Sequence, residues 1–193
     1  MKELEQMRQL ATIVHPVADP AWRSFAEIWE PFTAKRKEVM TFAGQKEKYL
    51  YFVSEGVQRV YYDDVQGREA TLVFTYAPSF GGVLDALMMQ TLSRYYYETL
   101  TPSVFLRAPA EALFECMARH RDLDILVRKG ITGALSGVLE RLAEMQSFSA
   151  EERFRSLLAR SPHILQQVPH KYLANYLGID ATNFSKLMNS VRI

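Results

Sequence analysis

Residues 169–192, PHKYLANYLGIDATNFSKLMNSVR, carry the pattern from which the fold can be read most directly. Pro169 suits the first turn of a helix, and Gly178 suits a tight turn that needs a positive φ. Ala174 is small where a second helix would cross the first, and Asp180 is a natural N-cap for that second helix. The apolar positions that face inward are Tyr172, Leu173, Tyr176, Leu177, Phe184 and Leu187. This spacing predicts a helix-turn-helix, although an ordinary αα-hairpin could use the same Ala–Gly pair.

The outward side of the second predicted helix is polar and carries no acidic residue. Side chains of this kind can reach base edges or phosphates in DNA. From residue 149 onward, six Lys and Arg residues oppose three Asp and Glu residues, a net charge of +3. This weak basicity predicts a modest DNA affinity for the monomer and a reliance on dimerisation. The candidate DNA-binding residues are Lys171, Ala181, Thr182, Asn183, Ser185, Lys186, Asn189 and Arg192.

Upstream of this motif, the period of the apolar residues changes from helical to alternating and back. The first forty residues have the helical period, in two segments, Glu3–Ile13 and Asp19–Trp29. From Val39 to about Arg107 the period is two, and the predicted strands are Lys48–Ser54, Val57–Tyr62, Ala70–Thr75, Tyr95–Leu100 and Ser103–Leu106. A helical segment, Val83–Leu92, interrupts the strands, and the chain is helical after Pro109. Short strands so closely spaced predict a β-sandwich or β-roll.

A long helix is predicted over about residues 122–146, with apolar residues spaced 4, 3, 4 and 3 apart. Such an a/d pattern is typical of a helix that pairs with another helix. The residues of this predicted dimer helix are Ile131, Leu135, Val138, Leu142 and Met145. Gly130, Gly133 and Gly137 beside them each weaken an isolated helix by roughly 1 kcal/mol, and a close helix–helix approach would offset that loss. The alternative is a helix that lies on its own β-domain.

Domain boundaries follow from these changes of pattern. Ser149, followed three residues later by Glu152, predicts a capping box that begins a new helix. We therefore expect a sensor domain over residues 1–120, a dimerisation helix over 121–148, and a DNA-binding domain over 149–193.

The remaining composition excludes several classes of function. Cys116 is the single cysteine, so neither an internal disulfide nor an iron–sulfur cluster is expected. The four histidines show no metal-ligand spacing, and no catalytic Ser–His–Asp set appears. No apolar run is long enough to span a membrane, and the first ten residues do not read as a signal peptide. We therefore expect a cytoplasmic protein that is not an enzyme and binds no metal and no obligatory cofactor.

The order of these segments resembles the Crp/Fnr superfamily of transcription regulators, whose sensor is a cyclic-nucleotide-binding-like domain. The resemblance is carried by TFAGQKEKYLYFVSEGVQRVYYDD from residue 41, FGG from residue 80, RYYYETLTPSVF from residue 94 and FSAEERFRSLLARSPHILQQVP from residue 148, followed by the helix-turn-helix. It implies an α+β fold, with an N-terminal β-roll, a long central dimerisation helix and a C-terminal helix-turn-helix. Since the sequence ends at Ile193, we expect the helix-turn-helix to lack a full wing. The resemblance also implies a cytoplasmic homodimer that binds a near-palindromic double-stranded DNA site, with RNA polymerase as a further candidate partner.

The sequence departs from this family at the effector site. Members that bind cyclic AMP have a Glu after Phe-Gly and an Arg-Ser or Arg-Thr pair further on. Here Gly82 occupies the Glu position, and Ser93-Arg94 stands inverted where Arg-Ser is expected. A shift of one residue in a strand turns a side chain to the opposite face, so tight binding of cyclic AMP is not expected. The candidate pocket residues are Gly81, Gly82, Val83, Leu84, Ser93, Arg94, Tyr95 and Tyr96.

Two interpretations of this altered pocket stay open: a different small-molecule effector, with the tyrosines 95–97 as aromatic walls, or a pocket filled by the protein's own side chains. The DNA-reading helix also differs from strong family members, because Ala181 and Lys186 stand where Arg residues are expected. Lys lacks the bidentate fork of Arg.

The alternative to a DNA-binding regulator is therefore a cyclic-nucleotide-like module that acts through protein contacts, with a degenerate DNA-binding domain.

Overall fold

The computed structural model describes residues 2–190, which form two helices, a β-roll and a second helical region. The N-terminal helices are α1 (Lys2–Val14) and α2 (Asp19–Glu27). The roll contains β1 (Glu30–Ala34), β2 (Val39–Thr41), β3 (Tyr49–Glu55), β4 (Val57–Asp63), β5 (Glu69–Tyr76), β6 (Ser79–Gly81), α3 (Leu84–Met89), β7 (Tyr96–Thr99) and β8 (Ser103–Pro109). The remaining helices are α4 (Ala110–Arg119), α5 (Arg121–Ser147), α6 (Ala150–Arg160), α7 (Ile164–Gln167), α8 (His170–Leu177) and α9 (Ala181–Ser190).

The roll consists of two four-stranded antiparallel sheets that face each other. One sheet has the order β1-β8-β3-β6, and the other has the order β2-β7-β4-β5. Alternate side chains of both sheets meet between them, where Tyr51, Val53, Val60, Tyr97 and Phe105 are buried. The predicted fold class is confirmed: a β-roll is followed by a long helix and a C-terminal pair of short helices.

The prediction that the first forty residues are helical is wrong for Glu30–Ala34, which is a strand, and Val39–Thr41, where the alternating period was predicted to begin, is a further strand. β1 pairs with β8 in register Glu30↔Arg107, and the Arg107 guanidinium binds the Glu30 carboxylate at 2.7 Å. Pro31 is tolerated because β1 lies at a sheet edge, where a missing N–H costs no ladder bond. Strand β6 was not predicted, because its three residues lie within a Pro- and Gly-rich turn and because it pairs with β3, which is distant in the sequence.

A core outside the roll joins the helices to the first sheet. Trp22, Phe25 and Trp29 pack with Phe52 and Leu113, which come from β3 and α4. The first turns of α5 enter the same core through Leu123 and Leu126. Among the helices that residues 2–190 form, none is both long and apolar enough to cross a bilayer.

Residues 149–190, called the head below, have a core of their own. Phe154, Leu157, Leu173 and Phe184 are buried in it, together with other apolar residues of α6 and α8. Val57 and Leu100 of the roll, with Phe74 and Tyr76, belong to the same cluster. The head is therefore packed against the roll. The predicted capping box begins α6: the Ser149 side chain accepts from the backbone of Glu152, whose carboxylate accepts from the Ser149 N–H.

Candidate nucleic-acid interface and sensor interior

The helix-turn-helix geometry follows directly from the local sequence. Gly178 ends α8 with φ +66°, the left-handed conformation predicted for it, and the Ile179 N–H donates to the carbonyl of Ala174 at 3.0 Å. Asp180 caps α9, since its carboxylate accepts from the backbone N–H of Asn183 at 2.8 Å. Phe184 then returns from α9 into the core of the head. The turn residues and the cap together orient α9 across α8.

The candidate DNA-binding residues that lie within residues 2–190 are all exposed: Lys171 on α8, and Ala181, Thr182, Asn183, Ser185, Lys186 and Asn189 on α9. They are not equally free. The Asn183 side-chain amide donates to Asp180 at 2.7 Å, and the Ser185 hydroxyl donates to the carbonyl of Ala181 at 3.0 Å. Lys186 carries the one positive charge on the described part of α9. Arg192 lies outside the described residues.

The outer part of α5 carries an apolar surface that no element of the described chain covers. Leu135, Val138 and Leu142 keep 55%, 48% and 51% of their side-chain exposure, and Leu139 beside them keeps 55%. Ile131 is half-buried. We call the first three residues the seam. The first turns of α5 lie on the β-domain, as the alternative to a dimer helix expects, whereas the seam side chains do not face it.

The glycines and Met145 of α5 differ in their surroundings. A Cβ placed on Gly130, Gly133 or Gly137 would meet no atom of the described chain within 4 Å. Met145, predicted for the dimer helix, instead lies against the turn of its own head, with its methyl carbon 2.6 Å from the position of a Cβ on Gly178. The surface open to a partner helix therefore centres on the seam and the glycines.

The interior of the roll is filled by its own side chains beside the candidate pocket residues. Gly81 and Val83 are buried, and a Cβ on Gly81 would collide with the Tyr97 hydroxyl. That hydroxyl lies 3.0 Å from Thr75 Oγ1, which donates to the side chain of Gln58 at 2.9 Å. Burial raises the pKa of Tyr97, so it stays a neutral phenol. Leu84 is half-buried at the start of α3.

A buried carboxylate from another part of the chain stands next to Gly82. Glu47 Oε2 lies 3.6 Å from the position that a Cβ of Gly82 would take. It accepts from the backbone N–H of Val83 at 2.9 Å and from the Thr41 hydroxyl at 2.8 Å. Burial raises the pKa of Glu47, while these hydrogen bonds oppose the shift. Gly82 itself has φ +121°, a conformation that other residues rarely adopt.

The other candidate pocket residues do not gather around one cavity. Ser93 is buried, but its hydroxyl bonds the backbone of Tyr95 at 2.6 Å. Arg94 is exposed, and Tyr95 is half-buried at the margin of the roll core. Tyr96 points out of the roll and stacks on Tyr61 with ring centroids 5.0 Å apart. Tyr96 therefore lies on the outer side of the alternating strand, and its neighbour Tyr97 takes the inward position.

Sequence reasoning missed a buried charge cluster on the outer face of the second sheet. Arg59 is 1% exposed. It binds Glu98 at 2.8 Å and Glu69 at 2.6 Å, and its guanidinium lies 4.1 Å from the ring centroid of Tyr172 in the head. Burial disfavours the charged form of Arg59, but the two carboxylates outweigh it and raise its pKa. Lys37 adds a bond to Glu98 at 3.2 Å.

Little in the local sequence pattern points to Glu47 or Arg59. Glu47 lies between two lysines, a pattern typical of a solvated turn, and Arg59 occupies an outward strand position that usually faces water. An arginine in the middle of the apolar strand VQRVYY was the one available signal. Among residues 2–190, no three His, Cys, Asp or Glu side chains are grouped so as to hold a metal ion.

Comparison with known proteins places these features in one family of domains. Residues 31–120 match the family model of the cyclic nucleotide-binding domain. The chain carries a cyclic nucleotide-binding domain within a Crp/Fnr-type fold. The resemblance drawn from the sequence is thereby confirmed.

Individual proteins are similar to this chain over most of its length. It is 24% identical over 200 residues to a protein named global nitrogen regulator from Synechocystis sp., covering 96% of this chain and 89% of that protein. The structure of FixK2 from Bradyrhizobium japonicum superposes with a TM-score of 0.76 at 15% identity, over 84% of this chain and 83% of that one. A protein described as a transcriptional regulator of the Crp/Fnr family from Eubacterium rectale gives a TM-score of 0.71 at 16% identity, over 90% and 82%.

Proposed function

We propose that this chain is a homodimeric, DNA-binding transcription regulator of the Crp/Fnr type. The observation that carries the proposal is the exposed polar side of α9, which the Gly178 turn and the Asp180 cap hold in place. In the same chain, helix α5 has an uncovered apolar seam. In such regulators one recognition helix from each protomer enters a major groove, and the dimer fixes the spacing of the two half-sites. The relatives named above support this assignment.

Base contacts in this proposal come from Thr182, Lys186 and Asn189. Their side chains are exposed, and no hydrogen bond within residues 2–190 engages those of Lys186 and Asn189. Lys186 can donate to guanine and Asn189 can pair with adenine. Asn183 has the smaller part, since its amide already binds Asp180.

The experiment is selection of duplexes from a random pool by the purified chain, followed by affinity measurements at several salt concentrations. Lys186→Ala should weaken binding of the selected duplex by about tenfold or more and reduce preference for one base pair. Arg155→Ala is the control, because Arg155 is an exposed arginine of the head that pairs with Glu151 on its own helix. A wild-type chain that enriches no sequence would contradict the proposal and favour a module that acts through protein contacts.

We further propose that the roll interior is a filled pocket that does not bind cyclic AMP tightly. Support comes from the Tyr97 hydroxyl, which takes the space beside Gly81, and from the Glu47 carboxylate beside Gly82. A cyclic phosphate brought next to that buried carboxylate would meet a like charge. Calorimetric titration with cyclic AMP and cyclic GMP should give no binding tighter than about millimolar, roughly 4 kcal/mol. Micromolar binding would show that the tyrosines move aside.

A further inference from the structure

The head is attached to the roll along the open edge of the second sheet. β5 is the last strand of that sheet, so one side of its backbone lacks a partner strand. The Asn175 side chain of α8 fills this place: its Nδ2 donates to the carbonyl of Glu69 at 2.7 Å, and its Oδ1 accepts from the N–H of Thr71 at 2.6 Å. One amide side chain thus makes the two bonds that a neighbouring strand would make.

A β-bulge next to this contact brings the central helix to the same edge. The pairing of β4 with β5 runs from Val60↔Val73 to Tyr61↔Thr71, so Leu72 is the extra residue. Bulges turn backbone groups that a regular ladder would use in another direction. Here Arg141 of α5 donates to the carbonyl of Leu72 at 3.2 Å and to that of Thr71 at 3.3 Å.

The Arg141 guanidinium also reaches the head. It donates to the carbonyl of Tyr176 in the last turn of α8 and lies 3.9 Å from the centroid of the Tyr176 ring. A cation is favourable at this end of a helix, where carbonyl groups lack partners. Burial lowers the pKa of Arg141, while the nearby Tyr176 and Glu144 oppose the shift. A single side chain of α5 therefore joins the roll bulge to the head.

We propose that Arg141, Asn175 and the bulge at Leu72 form a latch that fixes the orientation of the helix-turn-helix relative to α5. Arg141 and Asn175 are its positioning residues. The proposal rests on the DNA-binding function proposed above. The latched arrangement leaves Lys186 and Asn189 exposed, so it holds the reading surface in place without covering it.

The latch gives the dimer a fixed separation between its two recognition helices. Half-sites one helical turn apart require the heads to lie about 34–36 Å from each other. When one head has bound its half-site, a rigidly held second head is present at a high effective concentration at the other half-site. This effective concentration falls as the heads become free to move. The latch therefore acts on the preference for a two-half-site duplex over a single half-site.

The test compares three variants of the full chain, Arg141→Met, Arg141→Lys and Asn175→Ala, on two duplexes. One duplex carries both half-sites of the sequence selected by the wild type, and the other carries a single half-site. Arg128→Met is the matched control, because Arg128 is an exposed arginine of α5 that pairs with Asp124 on its own helix. Hydrogen exchange of the Thr71 amide reports the latch directly, without DNA, and sedimentation confirms that each variant stays dimeric.

Loss of the latch should change hydrogen exchange and the preference for two half-sites, but not the affinity for a single half-site. In Arg141→Met and Asn175→Ala, exchange at Thr71 should accelerate by about tenfold or more, as expected for loss of a charged or bridging hydrogen bond. The preference for two half-sites should fall by about tenfold, with single half-site affinity unchanged and Arg141→Lys intermediate. Unchanged exchange, an unchanged preference or tighter binding of the two-half-site duplex would each overturn the latch. If the wild type itself selects no sequence, the DNA-binding function fails first, and the latch as stated fails with it.

Discussion

Replacement of Leu135 by Ala tests whether the seam of α5 is the dimer interface. Leu135 keeps 55% of its side chain exposed, so about half of its burial energy is still available to a partner. Complete burial of a leucine is worth roughly 1.5–3 kcal/mol, which leaves roughly 0.8–1.5 kcal/mol for the interface. In a two-fold dimer each substitution occurs twice, so the loss doubles to roughly 1.5–3 kcal/mol. The dimer dissociation constant should rise by roughly tenfold to a hundredfold.

Sedimentation equilibrium over a wide range of protein concentration measures this constant. Leu135→Glu should be monomeric throughout, because two carboxylates would be brought together in an apolar interface. Val65→Ala is the control, since Val65 is an apolar residue that is fully exposed in the turn between β4 and β5. Circular dichroism confirms that each variant is folded. A Leu135→Ala dimer as stable as the wild type would refute the reasoning and move the interface away from α5.

Three other substitutions test the energetics of α5 and the roll. Gly137→Ala should stabilise the isolated chain by about 1 kcal/mol in thermal unfolding, because the added Cβ would meet nothing in the described chain. The same substitution should weaken the dimer if a partner helix approaches at Gly137. Equal dimer affinity of the variant and the wild type would argue against that approach. A hydrogen bond from Arg160 lowers the pKa of Glu144, so the stability that the ionised Glu144 contributes should be lost as the pH falls below the ordinary value of 4.5. Urea unfolding should show that Glu144→Gln lacks this loss of stability in acid. Burial raises the pKa of Glu47 above 4.5, so the stability that the protonated Glu47 contributes is present at low pH and lost as the pH rises through its pKa in the folded protein. Glu47→Gln should therefore gain stability relative to the wild type with rising pH. Parallel pH profiles of the two proteins would contradict the assignment.

Features that depend on neighbouring residues were predictable from the sequence. The positive φ of Gly178, the Asp180 cap and the capping box at Ser149 are all determined within four residues of chain. The helical region was predicted to begin after Pro109, and α4 begins at Ala110. Local backbone chemistry restricts these positions strongly, so a single sequence is sufficient to place them.

Features that depend on partners far along the chain were not predictable. Arg59 is buried only because Glu98 and the head residue Tyr172 close over it, 39 and 113 positions away. Asn175 reads as an ordinary helix residue, yet it binds β5 more than a hundred positions upstream. β1 is a strand because β8 pairs with it. In each case the deciding contact is made by tertiary packing, which local propensity does not report.

The two contacts proposed for α5 lie on neighbouring sides of the same helix. The seam residues Val138 and Leu142 share one side, and Arg141 and Glu144 lie beside them and bind the roll and the head. In the proposed dimer, the 27-residue helix α5 would carry both the contact with the partner protomer and the bonds to the head. On that proposal, the spacing of the two recognition helices would depend on contacts within each protomer, among them those of Arg141 at the bulge and of Glu144 with Arg160. In this proposal a change in the roll would reach the exposed reading surface of α9 through the contacts between roll and head, which include these bonds, the packing of Tyr172 on Arg59 and the shared apolar cluster.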